Sequence, residues 1–304
     1  MQRVNDGKMK AVLLPDRGVV KVAGADARGF LNGLLTADIG KVTPECAAFA
    51  ALLTPQGKIV IDAIVAEAPA EDGGGFFLDV PKVLATAFVT KLSFYKLRAK
   101  VIAEDLSETL GVLAVWDGTA TTDFGLVYAD PRLPALGLRV MIPPHLAKDA
   151  AADLGATLTD FADYETHRIA LGIPRGGFDF QYGDAFPHET DMDQLNGVDF
   201  AKGCYVGQEV VSRMEHRGTA RTRVVPVAYD GFAPEAGVPV TAGGKGVGTM
   251  GSSSAGHGLA LLRLDRVADA RTAGQPIAAG GVPIELRKPD WARFVWPGDA
   301  KAAE

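Results

Sequence analysis

The sequence predicts an α+β protein in which two regions with antiparallel sheets precede a small β-barrel. Short apolar runs are broken throughout by turn residues, and the 304 residues include 36 glycines and 18 prolines. This pattern is typical of antiparallel strands joined by turns. Segments with apolar residues at helical spacing separate these runs over much of the chain. From residue 224 on, short strands separated by Gly and Pro dominate, which predicts a small barrel.

The chain length predicts two or three subdomains, because 304 residues exceed a typical single domain. We assign residues 1–222 to the α+β part, 223–290 to the barrel and 291–304 to a C-terminal tail. Trp296 is expected to pack back on the barrel. Residues 301–304 are expected to be disordered.

The first α+β region alternates strands and helices. Phe30, Leu31 and Leu34 fall on one face of a helix over 24–36. The turn sequence at residues 54–57 joins two apolar runs into a hairpin, and Asp79 is a candidate N-cap before an early proline. The predicted elements are strand 18–23, helix 24–36, hairpin strands 47–53 and 58–66, strand 76–80, helix 81–92 and strand 95–101.

The second region and the barrel follow from the same patterns. A helix over 143–154 is closed by Gly155, and a helix over 164–172 is ended by Gly172 and Pro174. The predicted strands are 111–116, 125–130 and 137–142 in the second region, and 224–229, 239–241, 246–252, 258–264 and 282–286 in the barrel.

Charge and hydropathy exclude several classes of protein. The formal charge of −6 provides no general attraction to nucleic acid, so direct nucleic-acid binding is not expected. No run approaches ~20 apolar residues, so no membrane span is expected. The N-terminus carries Arg3, Asp6 and Lys8 where a signal peptide needs an apolar run. With no mitochondrial targeting segment visible, we expect a cytoplasmic protein.

The cysteines and histidines show no metal-binding spacing. Cys46 and Cys204 lie far apart in sequence, and the histidines at 145, 167, 188, 216 and 257 do not group. A disulfide between the two cysteines stays open, although free thiols in a reducing compartment are favoured. We therefore expect no tightly bound metal.

The densest cluster of reactive residue types lies at residues 202–218. Cys204 stands between Gly203 and Tyr205 and two residues after Lys202. A nearby cation and a helix start both favour the thiolate, so Cys204 is the candidate catalytic residue. The alternative is a glycine turn that places a small structural cysteine.

These residues also resemble a known family. Lys-Gly-Cys-Tyr-x-Gly-Gln-Glu at 202–209 resembles the signature of YgfZ-type folate-binding proteins, which are related to the T-protein, the aminomethyltransferase of the glycine cleavage system. The resemblance extends from about residue 19 to about residue 287. It implies two interleaved α+β subdomains and a barrel around a central cavity, with tetrahydrofolate as ligand. Its signature contributes the candidate contacts Lys202, Gly203, Tyr205, Gln208 and Glu209.

Further folate contacts are implied by the same resemblance. Where the T-protein carries Asp-Asp after Gly-Gly, this chain has Ile61-Asp62 after Gly57-Lys58, so one carboxylate remains. A family Pro-x-Glu that lies near the pterin matches Glu189. Carboxylates can accept two N–H donors from a pterin edge.

Cationic residues follow the signature. Arg217 and Arg221 are candidates to bind a folate glutamyl tail or an RNA phosphate. The alternative is that they form salt bridges with the surface of this acidic protein itself. A pocket lined by Asp62, Glu189 and the 202–209 motif is expected.

The resemblance implies an accessory factor in the assembly or repair of iron–sulfur clusters. The family is associated with [4Fe–4S] enzymes, including those that modify tRNA, so folate and client proteins or cluster-assembly factors are the expected partners. One thiol cannot hold a cluster that needs about four ligands, so any role of Cys204 is transient, shared or redox. The alternatives are a one-carbon transferase and a non-catalytic folate-binding scaffold. The single Asp62 and the Cys motif, which T-proteins lack, argue against a T-protein-type enzyme.

Overall fold

The computed structural model describes residues 8–218 and 220–297 and divides into two compact units. Unit 1 contains the residues up to Leu53, Val60–Tyr164 and Asn196–Val206. Unit 2 contains Thr54–Ile59, Glu165–Leu195 and the residues from Gly207 on. Each unit is therefore assembled from segments that are distant in the sequence.

The described residues form strands and helices in mixed order. The strands are β1 Lys10–Leu13, β2 Arg17–Ala23, β3 Ala48–Leu53, β4 Ile59–Glu67, β5 Phe76–Pro81, β6 Ile102–Asp105, β7 Gly111–Trp116, β8 Leu126–Ala129, β9 Leu138–Ile142, β10 Thr157–Leu158, β11 Thr222–Ala228, β12 Pro239–Ala242, β13 Lys245–Ser254, β14 His257–Arg263, β15 Ile277–Ala279, β16 Val282–Pro283 and β17 Glu285–Leu286. The α-helices are α1 Ala27–Leu34, α2 Ala85–Lys96, α3 Ala147–Asp153, α4 Phe161–Ala170, α5 Gln208–Arg217 and α6 Leu264–Thr272.

Unit 1 contains two five-stranded sheets. One has the order β3-β4-β5-β2-β6, and its core includes Leu31 of α1 together with Phe88 and Leu92 of α2. The other has the order β10-β1-β7-β9-β8, and Ala150 and Ala151 of α3 pack in its core. Each helix buries one apolar face against a sheet, as an amphipathic helix must.

Unit 2 carries the barrel. Its seven strands have the order β16-β15-β12-β13-β14-β11-β17. The two end strands β16 and β17 are separated in sequence only by Ile284, which brings the ends of the sheet together in a nearly closed barrel. Val267 of α6 and Trp296 are buried in its core. This arrangement confirms the predicted fold class, and the expected packing of Trp296 is confirmed as well.

The structure corrects several sequence predictions. The strand predicted over 95–101 is wrong, because α2 continues to Lys96 and the next strand begins only at Ile102. Leu97 ends the helix with φ 46°, a conformation that few residues other than glycine adopt. The sequence also missed the short strands β1, β10 and β15 and helix α6. Residues 301–304, expected to be disordered, lie outside the described residues.

Among the described residues, none of the helices combines the length and the hydropathy that a bilayer crossing requires.

Candidate functional site

The 202–209 signature begins on a loop, residues 196–206, that several hydrogen bonds attach to the rest of unit 1. The Thr36 hydroxyl donates to the Gly197 carbonyl at 2.6 Å, and the Asp199 amide donates to the Thr36 carbonyl at 3.0 Å. The Asn196 side-chain amide donates to the Pro131 carbonyl at 2.9 Å. These bonds fix the loop at its start, before the signature is reached.

Lys202 is the second anchor of this loop. Its buried ammonium donates to the carbonyl oxygens of Asn32, Leu35 and Ala37 at 2.7, 2.6 and 2.7 Å. Asn32 lies in α1 and the other two residues just follow it, so the lysine caps a helix end where carbonyls otherwise lack partners. An ammonium has three donors, and all three are used. Lys202 therefore supports the loop and does not present a cation to a ligand or to Cys204.

Tyr205 is the third anchor. Its side chain is 7% exposed, and the Lys202 ammonium lies 5.2 Å from the centre of its ring. The phenol oxygen is buried and has no hydrogen-bond partner among the described residues. Burial raises the pKa of this phenol to about 12, with Asp199 adding to the effect. A buried hydroxyl without a partner is costly, so this group is a candidate for a functional contact.

Between these two buried side chains, Gly203 and Cys204 are exposed to solvent. The thiol of Cys204 is free, as is that of Cys46. A thiol between two anchored neighbours keeps a fixed position while staying accessible to another molecule. This is the chemistry that a metal ligand or a redox thiol requires.

A cavity of about 660 Å³ lies beside the same loop in unit 1. Asp199, Phe200 and Ala201 form one wall, immediately before the signature. The other residues that line it are Ala37, Asp38, Lys41, Glu45, Cys46, Ala47, Ala48, Phe49, Ala129, Pro131, Asn196 and Val198. Its volume and its apolar walls with a few charged groups are typical of a small-molecule site.

Asp62 lies in a different environment, a buried network of charges in unit 1. Its carboxylate is 3.6 Å from the Arg17 guanidinium, and both side chains are 12% exposed. Arg17 also pairs with Asp79, which in turn contacts Arg139. Asp62 does not line the cavity described above, and its charge is already compensated by Arg17. The structure therefore gives Asp62 a partner within the protein.

The same network shifts the pKa values of its buried acids. Burial alone would raise the pKa of Asp79, but Arg17 and Arg139 outweigh it and lower this pKa below its usual value. The pKa of Asp130 is lowered in the same way, because the attraction of Arg132 and Arg139 outweighs the effect of its burial. Both carboxyl groups are therefore ionised at neutral pH and bind their arginines.

The other predicted contacts lie in unit 2. Glu189 is half-buried, and one of its carboxylate oxygens accepts the Phe186 amide at 2.9 Å. Gln208 begins α5 and is half-buried, whereas Glu209 is exposed and forms an ion pair with Arg213 one turn later. One oxygen of Glu189 thus caps its own turn, and the charge of Glu209 is partly compensated.

The arginines after the signature separate into two groups. Arg223 is buried and donates to Asp191 and Asp193. Arg217 and Arg221 are exposed, and neither forms an ion pair with a described residue. Arg221 also lines a cavity of about 920 Å³ in unit 2. Among the arginines after the signature, Arg217 and Arg221 therefore remain available to an anionic ligand, and, together with Arg263, the charge of Arg221 also helps to lower the pKa of Asp265.

One grouping in unit 2 was not visible in the sequence. Potential metal-ligand atoms of His188, Asp193 and Glu215 lie within 4.8 Å of one another. The Arg223 guanidinium donates to both oxygens of Asp193, and the His188 ring contacts Glu215 at 3.0 Å. Ion pairs and hydrogen bonds within the protein thus account for this group.

The predicted site residues therefore divide between the two units. Unit 1 holds Asp62, Lys202, Gly203, Cys204 and Tyr205, and unit 2 holds Glu189, Gln208, Glu209, Arg217 and Arg221. The pocket predicted to unite them stays a prediction. The cavity beside Cys46 and Phe49 was not visible in the sequence, because its walls come from three separate segments within residues 37–49, 129–131 and 196–201 that carry no motif.

Comparisons with known proteins identify relatives over nearly the whole chain. The mouse iron–sulfur cluster assembly factor IBA57, a mitochondrial protein, is 32% identical, with 95% of this chain and 86% of the relative covered. The human protein of the same name is 31% identical, with 95% and 85% covered. The IBA57 homologue of Coccidioides immitis is 32% identical, with 96% and 80% covered.

Two further comparisons agree with the observed fold. The model of the CAF17 C-terminal β-barrel domain matches residues 221–294. The crystal structure of the glycine cleavage system aminomethyltransferase T from Bartonella henselae superimposes with a TM-score of 0.70 at 13% identity, covering 95% of this chain and 88% of that one. This likeness shows that the chain has the fold of that aminomethyltransferase.

The relatives also correct one expectation. The sequence predicted a cytoplasmic protein, but the relatives are named mitochondrial, which contradicts that location. The sequence identity to these relatives and the share of both chains that the alignments cover show to which family the chain belongs. The chain belongs to the IBA57 family of iron–sulfur cluster assembly factors.

Proposed function

We propose that the chain supports iron–sulfur cluster assembly or repair in client enzymes through the thiol of Cys204. The observation that carries this proposal is the exposure of Cys204 between two buried anchors, Lys202 and Tyr205. A structural cysteine is normally buried, whereas a metal-binding or redox thiol must be accessible. The names of the relatives support a role in cluster assembly.

The chemistry of the cluster limits what this thiol can do. A [4Fe–4S] cluster takes about four cysteine ligands, and Cys204 supplies one. The cluster is therefore shared with a partner or held only during transfer, and the partner provides the remaining ligands. The bonds of Lys202 to three carbonyls keep the thiol in one place while the partner approaches.

Tetrahydrofolate binding is the second part of the proposal. It is supported by the resemblance of the 202–209 signature and by the cavity of about 660 Å³ beside the loop. Phe49 and Phe200 offer apolar surface to a planar ring system, and Asp38 offers a carboxylate to its N–H edge. Glu189 in unit 2 is the competing candidate for the pterin contact.

A titration with tetrahydrofolate distinguishes these two positions. Ala129→Phe narrows the cavity at an exposed position, and Glu189→Gln removes a charge while keeping the shape of the side chain. Weaker binding by the first variant alone locates the folate in the cavity, and weaker binding by the second alone locates it at Glu189. If the unchanged chain does not bind tetrahydrofolate, folate has no part in its function.

A one-carbon transferase is the second candidate function, favoured by the fold shared with an aminomethyltransferase. Against it, Ile61-Asp62 stands where the T-protein has an Asp-Asp pair, and the remaining carboxylate of Asp62 pairs with Arg17. Incubating the purified chain with tetrahydrofolate and an aminomethyl donor decides the question. We expect no formation of methylenetetrahydrofolate, and steady turnover would establish the transferase instead.

A further inference from the structure

The end of helix α2 and the start of strand β6 expose an unusual amount of apolar surface. Phe94 is 77% exposed, Leu97 is 89% exposed and Ile102 is 70% exposed. A group of large, exposed apolar side chains this close together in the chain is a candidate interaction surface. We call residues Lys91–Ala103 the α2–β6 corner.

The backbone of this corner is strained at Leu97. This leucine has φ 46° and ψ −104°, outside the regions that residues other than glycine adopt at low cost. The strain holds an apolar side chain in solvent, where it contributes little to the packing of unit 1. Strain that persists without a packing benefit indicates a functional constraint.

The corner is also strongly cationic. It contains Lys91, Lys96, Arg98 and Lys100 and no acidic residue, and the acidic residues Glu104 and Asp105 follow it at the end of β6. None of the four forms an ion pair with a described residue. These charges are therefore available to an acidic partner, and they raise the rate at which such a partner associates.

Two further features provide places for a partner to bind. A cavity of about 130 Å³, lined by Leu92, Lys96 and Ile102 among others, is large enough for one apolar side chain. Strand β6 is the edge strand of its sheet, because it pairs only with β2 on one side. An edge strand offers backbone N–H and C=O groups, which a protein partner can use and a lipid surface cannot.

We propose that the α2–β6 corner is the docking surface for a protein partner whose contact face is acidic and inserts an apolar side chain. This inference rests on the proposed function in one respect, because the partner is expected to be a protein that receives or supplies iron–sulfur clusters. The α2–β6 corner shares no residue with the loop that carries Cys204. The two ideas can therefore fail separately.

The first experiment installs a photo-activated benzophenone amino acid at position 94 or 97 of the full chain in cells. Position 232 is the matched control, because Phe232 is 92% exposed and lies in unit 2. We expect both corner positions to cross-link to the same acidic protein, and position 232 not to do so. Adducts with lipid or nucleic acid, or no excess over position 232, would overturn the inference.

The second experiment measures binding of that purified protein by calorimetry at low and high salt. Arg98→Glu should weaken binding about tenfold or more, and Lys148→Glu on α3, an exposed lysine outside the corner, should leave it unchanged. Leu97→Gly relieves the strain, so it should keep or raise the melting temperature and yet weaken binding. Unchanged binding by both Arg98→Glu and Leu97→Gly would overturn the proposal.

The variant Cys204→Ser tests the proposed function separately from the proposed docking surface. Cys204→Ser should bind the purified partner as the unchanged chain does and should fail to support client enzymes. Normal client activity with Cys204→Ser rejects the proposed function but leaves the docking surface standing. Loss of partner binding in Cys204→Ser while the corner variants bind normally rejects the docking surface.

Discussion

The ammonium of Lys202 lies 2.6 Å from the carbonyl oxygen of Leu35, at the end of helix α1. The lysine that precedes the exposed Cys204 thus ties the loop to unit 1 through three carbonyl groups. The fixed position of the thiol follows from this tie.

We predict that Lys202→Met destabilises the protein by about 3 kcal/mol, because three carbonyls lose a charged donor. Urea denaturation of the purified variant measures this loss. Lys41→Met is the control, because Lys41 is largely exposed and pairs with Asp199 at the surface. Equal effects of the two substitutions would contradict the anchoring role of Lys202.

Asp79→Asn should destabilise the protein by about 3–5 kcal/mol at pH 7, because it leaves Arg17 and Arg139 buried without their shared partner. Asp265→Asn, which breaks an ion pair of half-exposed residues, should have a much smaller effect. Denaturant unfolding of both variants tests this difference.

The same variant predicts a pH dependence. The pKa of Asp79 is lowered in the folded protein, so its contribution to stability is complete above its unfolded pKa of about 3.9. The contribution is lost as the pH falls from that value through the folded pKa. The stability difference between the unchanged chain and Asp79→Asn should thus stay constant from pH 7 to about 5 and shrink below pH 4. A difference that shrinks already between pH 7 and 5 would contradict this assignment.

Tyr205→Phe tests the buried phenol oxygen. Removing a buried hydroxyl without a partner should leave stability unchanged or raise it by about 1 kcal/mol. If this oxygen contacts a ligand or a partner, the variant should nevertheless lose tetrahydrofolate affinity or support of client enzymes. A clear loss of stability would show that the hydroxyl has a partner within the fold.

Arg217→Glu should weaken binding of polyglutamylated folate about tenfold more than binding of the monoglutamate, because an exposed cation near an anionic tail contributes charge-assisted bonds. Calorimetry with both ligands measures the ratio. Arg213→Glu is the control, since Arg213 already pairs with Glu209. An equal loss for both folates would assign Arg217 to the stability of the fold.

Local pattern predicted much of the architecture. Apolar periodicity and turn residues predict three features that the structure contains: the hairpin of β3 and β4, the helix with Phe30 and Leu31, and the barrel, whose strands are separated by Gly and Pro. The apolar pattern gave a wrong prediction at residues 95–101. Helix α2, which buries Phe88 and Leu92, continues to Lys96, and Leu97 then adopts a strained backbone conformation that residue propensities do not predict.

The site was harder to predict, because its partners lie far apart in sequence. The exposed cysteine could be anticipated from its two glycines and the signature. Two other features depend on tertiary contacts and could not be anticipated. Lys202 is buried and binds carbonyl groups about 165 residues away in the sequence, and Asp62 pairs with Arg17. The sequence shows which residue types are present. The tertiary structure determines which of these side chains already form ion pairs or hydrogen bonds within the protein.

The role of Cys204 is tested most directly by comparing Cys204→Ser with Cys46→Ser in cells whose chromosomal gene for this protein is deleted. Both cysteines are free and exposed, so each variant loses one thiol at a similar packing cost. We predict that Cys204→Ser folds with an unchanged melting temperature but restores almost no activity of a [4Fe–4S] client enzyme, whereas Cys46→Ser, which changes one atom of the cavity wall, restores full activity. Full activity with Cys204→Ser would show that the thiol has no part in cluster assembly and would leave the signature as a marker of the fold alone.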